Sequence, residues 1–341
     1  MKAVVIERPE EVAYREVETP VCGPNDVLVR SRRAGVCRTD LAVLHGALDR
    51  RWVRYPCIPG HEWSGTVAEV GENVTDLAPG DRVVCEGIIP CLRCVRCKAG
   101  ETNLCRNYDQ LGFTRGGGYG EYVLAPRRAV HRLPEHVSLE EAVLVEPAAV
   151  VLRGLERGRS VPGERIGVVG VGTLGALTIR LLRLSPPAQL VAYGIREEEL
   201  AFATSLGVDR AVNLATEGPE EGRLDLVVEC AGAVPAIELA SRLVREGGRV
   251  VLLGISGEGK ALELPADRIA LRDLELIGSV SYTTAAWTRL VSLLSSGVVS
   301  LDGIVTQRFP ASEFAAAFAL MDARDGVVGK VVLEHGPDET E

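Results

Sequence analysis

Two different hydrophobic patterns divide the chain. Up to about residue 140, short apolar, β-rich runs are bounded by Gly, Pro, Asn or Asp, which is typical of strands joined by turns. From about Arg165 onward, short apolar strands alternate with helical segments such as residues 173–184 and 197–207. This alternation predicts a doubly wound parallel sheet with helices on both of its faces. The clearest early runs are residues 2–6, 26–36, 65–71, 81–86 and 121–126.

The alternating pattern occupies the middle of the chain. After Ser281, one more helical segment, residues 284–297, leads to a final apolar strand at residues 330–334. A length of 341 residues exceeds what one hydrophobic core usually serves. We therefore expect an α/β protein in which a β-rich domain, residues 1–148 and 283–341, is interrupted by an inserted parallel-sheet domain, residues 149–282.

Composition and charge narrow the classes of partner. The 46% hydrophobic and 25% charged residues are typical of a globular protein in water. The net charge of −9 and the lack of a basic block disfavour nucleic acid, because an acidic surface repels phosphates. No apolar run reaches the roughly 18 to 20 residues needed to span a bilayer, so no membrane partner is expected. The first residues lack the apolar core of a signal peptide, and we expect a cytoplasmic protein.

Four of the nine cysteines crowd into the segment PCLRCVRCKAGETNLC. Zinc prefers four thiolates at about 2.3 Å in a tetrahedron, and closely spaced cysteines let one loop supply them. Since protein ligands would fill every position, the segment predicts a structural zinc. Unrelated thiols, two disulfides or an iron–sulfur cluster are the alternatives, and the acidic charge disfavours a nucleic-acid zinc ribbon. The four residues are Cys91, Cys94, Cys97 and Cys105.

A second set of donors is scattered along the chain. Cys37, His61, Glu62 and Glu146 are each acceptable zinc ligands, and a mixed thiolate, imidazole and carboxylate set suits Zn²⁺. Taken singly, these residues are weak signals. His61 alone would more often be a hydrogen-bonded structural histidine, and Glu146 a solvated helix cap.

A glycine motif follows the first strand of the parallel-sheet pattern. G-x-G-x-x-G at residues 170–175 lies after RIGVVG and opens a helix, the context in which a helix N-terminus faces the pyrophosphate of a dinucleotide. At the end of the next strand Gly194 occupies the usual acidic position, and Arg196 follows it. This favours NADP(H) over NAD(H). The alternative is an exposed arginine, with Glu197–Glu199 engaging the ribose. The candidate cofactor residues are Gly170, Gly172, Thr173, Leu174, Gly175, Gly194 and Arg196.

These motifs together carry a family resemblance. Residues 60–74 fit G-H-E-x-x-G-x5-G-x-x-V at every fixed position. With Cys37, the cysteine-rich segment and the glycine motif in the same order, the chain resembles the zinc-dependent medium-chain dehydrogenase/reductase, or alcohol dehydrogenase, family. It is most similar to the sorbitol and threonine dehydrogenase branch, in which a Glu-Pro pair such as Glu146-Pro147 replaces a cysteine ligand. The resemblance implies a GroES-like β-rich catalytic domain and an inserted Rossmann domain.

The resemblance also implies roles for particular residues. Cys37, His61 and Glu146 would bind a catalytic zinc, with Glu62 as an alternate or water-mediated ligand, so that each chain carries two zinc ions. The zinc would act as a Lewis acid that lowers the pKa of an alcohol, whose hydride passes to the nicotinamide. The Thr39 hydroxyl would accept the alcohol proton, unless it is only a turn hydroxyl bonded to the backbone.

Two positions depart from the family pattern. Ala42 stands at the nearest place where many relatives have a histidine of the proton relay, so the relay would run through the cofactor ribose or through His45. Arg153 stands where sorbitol-type enzymes have a histidine, and we draw no consequence from it. Trp52 and Trp287 are candidate walls of the substrate pocket, although packing is an equal explanation for both.

The sequence leaves several functions open. The favoured one is an NADP(H)-dependent dehydrogenase of a polyol, cyclitol or other secondary alcohol. The alternatives are an NAD-dependent amino-alcohol, threonine-type or aminocyclitol dehydrogenase, and a non-catalytic redox-sensing or structural zinc protein. A zinc-free quinone or enone reductase is disfavoured by the scattered donors. The expected partners are a small-molecule alcohol or ketone and further copies of the chain, as a homodimer or homotetramer.

Overall fold

A computed structural model describes residues 1–257, 259–323 and 329–336, and the chain forms two compact units. The first contains Met1–Glu146, Thr283–Val298 and Val305–Glu341, and the second contains Pro147–Tyr282 and Val299–Ile304. The segment 299–304, which we expected in the β-rich domain, groups with the parallel-sheet unit. Leu301 and Ile304 are fully buried, and Arg180 donates a hydrogen bond to the Asp302 carbonyl at 2.9 Å.

The first unit is built from two antiparallel-rich sheets. The seven-stranded sheet runs β14-β15-β3-β4-β5-β7, with β6 paired to β3, and β1 and β2 form a separate hairpin. The strands are β1 (Lys2–Arg8), β2 (Glu11–Glu16), β3 (Asp26–Val36), β4 (Glu62–Val70), β5 (Arg82–Cys85), β6 (Tyr122–Pro126), β7 (Val130–Arg132), β14 (Val305–Pro310) and β15 (Lys330–Glu334). The helices are α1 (Arg38–Leu44), α2 (Val95–Lys98), α3 (Leu139–Ala142), α9 (Thr284–Ser295) and α10 (Phe314–Ala323), with 3-10 turns at Thr102–Leu104, Arg127–Ala129 and Ala311–Glu313.

The long strand β3 organises this sheet. It pairs with β4 on one side, with Gly35 opposite Glu62, and with β15 on the other, with Val36 opposite Val331. Buried side chains such as Val29 and Trp63 supply the core between the sheet and its helices. Because Cys37 directly follows β3, while Glu62 begins β4 and Lys330 begins β15, this register brings three distant parts of the sequence to one end of the sheet.

The second unit is a six-stranded sheet whose described strand pairs are all parallel. Its order is β10-β9-β8-β11-β12-β13. The chain therefore winds outward from β8 in one direction and from β11 in the other, as in a Rossmann fold. The strands are β8 (Arg165–Val169), β9 (Gln189–Gly194), β10 (Arg210–Asn213), β11 (Leu224–Glu229), β12 (Val244–Leu252) and β13 (Glu275–Gly278). The helices are α5 (Thr173–Leu181), α6 (Glu197–Ser205), α7 (Val234–Leu243) and α8 (Ala266–Leu271), with a 3-10 turn at Leu182–Leu184.

The α/β fold class predicted from the sequence is confirmed. Helix α4 (Val145–Arg157) begins in the first unit and continues into the second. His61 directly precedes β4, and Glu62 is the first residue of this strand. Within the described ranges, none of the helices is both long and apolar enough to cross a membrane.

Candidate functional site

Three of the scattered donors come together at the end of β3. One ligand atom each from Cys37, His61 and Glu62 lies within 4.8 Å of the others, and we call these residues the three-donor cluster. Cys37 is the N-cap of α1, and His61 and Glu62 stand at the start of the neighbouring strand. His61 and Glu62 are buried, with 6% and 2% of their surfaces exposed.

The imidazole of His61 is turned so that one nitrogen faces the cluster. Its Nδ1 lies 3.3 Å from Asp40 Oδ1, while its Nε2 lies 3.9 Å from Glu62 Oε1. The longer distance exceeds a hydrogen bond but suits two ligands of one ion. Phe113 stacks on the ring with centroids 4.9 Å apart. Since Asp40 is beside Nδ1, Nε2 is the nitrogen left to bind a metal.

Glu62 is held from behind by a buried lysine. Lys330, of which 2% is exposed, forms an ion pair with Glu62 Oε2. Burial lowers the pKa of Lys330, but the charges of Glu62, Cys37 and Asp40, together with the hydrogen bond to Glu62, outweigh this effect, so the pKa is raised. A Cβ atom at Gly35 would lie 2.5 Å from both Glu62 Oε2 and Lys330 Cε, so the pair occupies space that only glycine leaves. With Oε2 fixed, Oε1 is the carboxylate oxygen that faces His61.

The chemistry of the cluster fits zinc. A thiolate, an imidazole nitrogen and a carboxylate oxygen within 4.8 Å form a mixed donor set of the kind found in catalytic zinc sites. Glu146 lies outside this closely spaced group. Burial raises the pKa of Glu146 to about 7; the charge of His61 opposes this rise and the charge of Glu62 adds to it. The sequence interpretation made Glu146 the third ligand and Glu62 the alternate, whereas the geometry brings Glu62 closer to the other two donors.

Four other candidate residues differ in their surroundings: Thr39, His45, Trp52 and Trp287. Thr39 Oγ1 lies 3.5 Å from Cys37 Sγ. His45 Nδ1 lies 2.8 Å from Glu10 Oε1 on an exposed surface. Trp287 is fully buried in the first unit, which favours packing over a pocket wall, whereas Trp52 is 38% exposed and stands edge-on to Tyr108.

Arg153 belongs to the second unit. It donates hydrogen bonds to Ser279 Oγ at 3.0 Å and to the Val280 carbonyl at 3.1 Å. These bonds connect α4 to the chain that follows β13. Its side chain therefore has a structural connection that the sequence did not indicate.

The cysteine-rich segment closes around a second candidate metal position. The four sulfur atoms lie within 4.8 Å of one another, close enough to share a single ion. All nine cysteines are free thiols, so the two-disulfide alternative is not realised. The backbone amide of Arg93 lowers the pKa of Cys91 to about 6, and the amide of Cys97 lowers the pKa of Cys94, which favours the thiolate at these two positions. Burial, together with the neighbouring thiols, raises the pKa of Cys97 to about 12.

The glycine motif has the geometry of a phosphate-binding turn. Gly170 follows β8 with φ +89°, and a Cβ atom there would lie 2.8 Å from the Ala231 amide. Gly172 caps α5 with open space around it, so a ligand can approach its backbone. Thr173 and Leu174 open the helix, and Gly175 packs against the Gly170 carbonyl. The turn fits a dinucleotide pyrophosphate at the helix N-terminus.

The end of β9 combines residues that would favour NADP(H) with a residue that would favour NAD(H). Gly194 ends the strand, and Arg196 is the N-cap of α6. The guanidinium of Arg196 lies 2.5 Å from the Glu199 carboxylate, and a Cβ atom at Gly194 would lie 3.9 Å from Glu199 Oε2. Glu197 is bonded to Asn213 instead. Of the three acidic residues weighed in the sequence, Glu199 is the one beside the position that selects the cofactor.

Sequence reasoning missed three residues that shape the three-donor cluster. Asp40 accepts a hydrogen bond from the Cys37 amide at 2.9 Å and faces His61. Tyr119 donates to Asp40 Oδ2 at 2.8 Å, and Lys330 binds Glu62. Asp40 could have been found from its place in the C-R-T-D segment. Lys330 meets Glu62 only through strand pairing, and Tyr119 reaches Asp40 from the turn before β6, so neither contact can be predicted from local sequence.

Comparison with known proteins places these sites in a family. The family model described as Alcohol dehydrogenase GroES-like domain matches residues 23–135, and the one described as Zinc-binding dehydrogenase matches residues 173–296. The chain is 32% identical to a protein named L-threonine 3-dehydrogenase from Chelativorans sp. (strain BNC1), over 98% of each chain.

Solved structures agree with the sequence relatives. A putative zinc-binding dehydrogenase from Sinorhizobium meliloti, bound to NADP, has a TM-score of 0.91 at 30% identity and covers 98% of this chain and 99% of its own. Galactitol-1-phosphate dehydrogenase from Escherichia coli has a TM-score of 0.87 at 29% identity, over 98% of this chain and 100% of its own. The protein is therefore an oxidoreductase that belongs to the zinc-dependent medium-chain alcohol dehydrogenase family.

Proposed function

We propose that this protein transfers hydride between a secondary alcohol, such as a polyol or cyclitol, and NADP(H). The observation that carries the proposal is the three-donor cluster, in which Cys37 is partly exposed and His61 and Glu62 are buried. A structural zinc has four protein ligands, as the cysteine-rich segment would provide. A second site with only three protein ligands leaves one position for a substrate, which is typical of a catalytic zinc. The glycine-rich turn in the same chain supports a dinucleotide as the hydride carrier.

Each residue near the cluster has a proposed task. A zinc ion there would supply Lewis acidity that lowers the pKa of an alcohol. Cys37 and His61 are proposed ligands of the zinc, and either Glu62 or Glu146 is proposed to supply the carboxylate ligand. The Thr39 hydroxyl, beside Cys37, is proposed to accept the hydrogen bond of the alcohol.

The second proposed zinc is structural. Cys91, Cys94, Cys97 and Cys105 would fill all four of its positions, so it offers no site for substrate. The proposed stoichiometry is therefore two zinc ions per chain. We also propose that the chain assembles as a homodimer or homotetramer, which light scattering of the purified protein would measure.

Three observations support NADP(H) as the cofactor. Gly194 removes the carboxylate that would repel a 2′-phosphate, and Arg196 provides donors for it. The Sinorhizobium meliloti relative is bound to NADP. Glu199 opposes this preference, because its negative charge lies against Arg196. We infer that the guanidinium would have to turn from Glu199 toward the phosphate.

The second candidate is an NAD-dependent dehydrogenase of threonine or another amino alcohol. It is supported by the name of the Chelativorans relative. It is also supported by Glu199, which could accept the ribose 2′-hydroxyl in place of the residue missing at Gly194. The two candidates differ in both cofactor and substrate, so one set of assays separates them.

The test is turnover of the purified protein with NADP⁺ and with NAD⁺ on polyols, cyclitols, simple secondary alcohols and threonine, together with zinc analysis. We expect two zinc ions per chain and faster turnover of a polyol or other secondary alcohol with NADP⁺. His61→Ala should lose one zinc and the activity, while the exposed His136→Ala should keep both. Faster turnover of threonine with NAD⁺ would favour the second candidate. A single zinc with no turnover on any alcohol would favour a non-catalytic zinc protein.

A further inference from the structure

A fully buried carboxylate lies in the second unit and has no part in the proposed chemistry. Glu229 ends β11 and has no exposed surface. Its Oε1 accepts hydrogen bonds from the amides of Ala231 and Gly232, both at 2.8 Å. Its Oε2 has no hydrogen-bond partner in the described part of the chain. A buried acid is costly unless its environment supports it, so this one requires an explanation.

The backbone of Glu229 joins the ends of two neighbouring strands. Its carbonyl accepts hydrogen bonds from the amides of Leu253 and Gly254, at 2.9 and 3.1 Å, just beyond the end of β12. On the other side, the Cys230 amide donates to the Val169 carbonyl at the end of β8 at 2.9 Å. The carboxyl ends of β8, β11 and β12 are therefore connected at Glu229 and the residue after it.

These strand ends lie where a Rossmann sheet binds its ligand. The order of the sheet reverses between β8 and β11, and ligands bind outside the carboxyl ends of the strands at such a point. Residues 230–233 form the loop that follows β11, which we call the β11 loop. Ala231 and Ala233 in it are exposed, although the carboxylate beneath them is not.

The β11 loop is packed against the glycine-rich turn. A Cβ atom at Gly170 would lie 2.7 Å from Ala231 Cβ and 2.8 Å from its amide nitrogen. A Cβ atom at Gly232 would lie 2.8 Å from the amide of Ile255, whose own side chain is 80% exposed. Because these backbone segments are so close, a displacement of Ala231 and Gly232 would also move the glycine-rich turn and Ile255.

We propose that Glu229 is a positioning residue for dinucleotide binding: its carboxylate fixes the amides of the β11 loop, and through them the glycine-rich turn and Ile255. Burial raises the pKa of Glu229, and the amides of Gly232 and Ala231 act in the opposite direction, as expected if they are aimed at the carboxylate. This inference rests on the proposed use of a nicotinamide dinucleotide.

The test compares Glu229→Gln and Glu229→Leu with the wild-type protein. The glutamine variant keeps one acceptor oxygen but loses the charge, whereas the leucine variant leaves both loop amides without an acceptor. We expect the Kd of the preferred dinucleotide, measured by calorimetry, to rise several-fold in Glu229→Gln and about tenfold or more in Glu229→Leu. The KM for the dinucleotide should rise with it, while kcat at saturation, the KM for the alcohol and the zinc content stay near wild type.

Matched measurements separate positioning from simple folding support. Glu246→Gln removes an exposed carboxylate from β12 and should leave the Kd unchanged. Hydrogen exchange should be faster at Ala231 and Gly232 in Glu229→Gln, which carries the test if the leucine variant does not fold. An unchanged dinucleotide Kd in Glu229→Gln, with only a lower melting temperature, would show that Glu229 supports the fold alone and would overturn the proposal. A wild-type protein that binds neither NADP⁺ nor NAD⁺ would overturn this proposal and the proposed function together.

Discussion

The orientation of the proposed catalytic ligands depends on residues that do not themselves bind metal. Asp40 bonds to the Cys37 amide with one oxygen and faces His61 with the other. Tyr119 donates to Asp40, and its ring lies against Gly60, the residue before His61. One aspartate therefore sets the position of a thiolate and an imidazole from two different strands.

Replacing Asp40 should weaken the proposed catalytic zinc. Asp40→Asn keeps the size of the side chain but removes the charge that faces His61 Nδ1, and loss of such a partner typically lowers metal affinity about 10- to 100-fold. Tyr119→Phe should act in the same direction with a smaller effect, because Asp40 loses one of its donors. Competition with a chelator, followed by the absorption of cobalt substituted at the same site, measures both changes.

The cysteine-rich segment and a second tyrosine serve as controls for this prediction. Zinc bound by the four cysteines should keep its affinity in both variants. Tyr55→Phe removes a phenol that donates to the Val43 carbonyl rather than to Asp40, and should leave both zinc sites unchanged. Equal zinc affinity in Asp40→Asn and the wild type would contradict the role given to Asp40.

Cofactor choice should respond to single residues at the start of α6. Arg196→Ala removes the donors for a 2′-phosphate and should lower kcat/KM for NADP⁺ relative to NAD⁺ by roughly 10- to 100-fold. Glu199→Gln should shift the ratio toward NADP⁺, because it removes the negative charge beside Arg196. Arg223→Ala, an exposed arginine elsewhere in the unit, is the control. A ratio that stays constant in all three variants would contradict the proposed site.

At the scale of elements, the cysteine-rich segment also supports a distant helix. Thr102, which lies between the third and fourth cysteines, accepts a hydrogen bond from the Thr284 amide at the start of α9, at 2.9 Å. The Thr284 hydroxyl donates to the buried Glu86 at 2.8 Å. The first turn of α9 therefore depends on the part of the chain that the structural zinc would order.

Removing the Thr102 hydroxyl should destabilise α9. Thr102→Val leaves the Thr284 amide without its acceptor, which should cost about 1 kcal/mol of unfolding free energy. Thr102→Ser keeps the oxygen and should be close to wild type. Urea denaturation measures the difference, and hydrogen exchange should increase in residues 284–295. Identical denaturation curves for the valine and serine variants would contradict the expectation.

Element prediction succeeded where the pattern is local. The apolar runs at residues 26–36 and 121–126 correspond to β3 and β6. The short helix α1 was not predicted, because seven residues make only about two turns and are too few to show a helical period. The start of β12 has no strand pattern of its own, since residues 244–247 are mostly exposed, charged or glycine, and pairing in the sheet extends that strand.

At the scale of the whole molecule, large buried clusters of the two units are built from different segments of the chain. The buried cluster in the second unit, which includes Val191, Val227 and Val250, contains none of the proposed zinc ligands. Its Rossmann sheet is therefore expected to fold without metal. The proposed ligands of both zinc ions belong to the first unit.

Removing zinc should therefore affect the two units differently. Protein stripped with a chelator should lose turnover and show faster hydrogen exchange in residues 91–105, because the four thiolates then repel one another. Its dinucleotide Kd, measured by calorimetry, should stay within a few-fold of the value before stripping, as no proposed contact to the glycine-rich turn involves metal. Loss of dinucleotide binding together with the zinc would contradict this separation.

The sequence predicted features that lie within one short segment better than contacts between residues far apart in the chain. The glycine-rich turn and the four cysteines each lie within one short segment, so the sequence alone could predict both. The pair of Glu62 and Lys330 was not, because it joins residues that meet only when β15 and β4 flank β3. Residues 299–304, with the buried Leu301 and Ile304, group with the second unit, whereas the sequence pattern assigned them to the β-rich domain.

The close packing at Gly35 limits which residues this position accepts. An alanine here would displace the Glu62 carboxylate and the Lys330 side chain, so a larger residue is tolerated only if the buried ion pair shifts or if Glu62 or Lys330 changes as well. In a saturation library screened for turnover, glycine should dominate at position 35, while Arg38, exposed three residues later, should tolerate many replacements. Because Gly35 lacks a Cβ atom, the residues that are tolerated at positions 35, 62 and 330 depend on one another, although these positions lie far apart in the sequence.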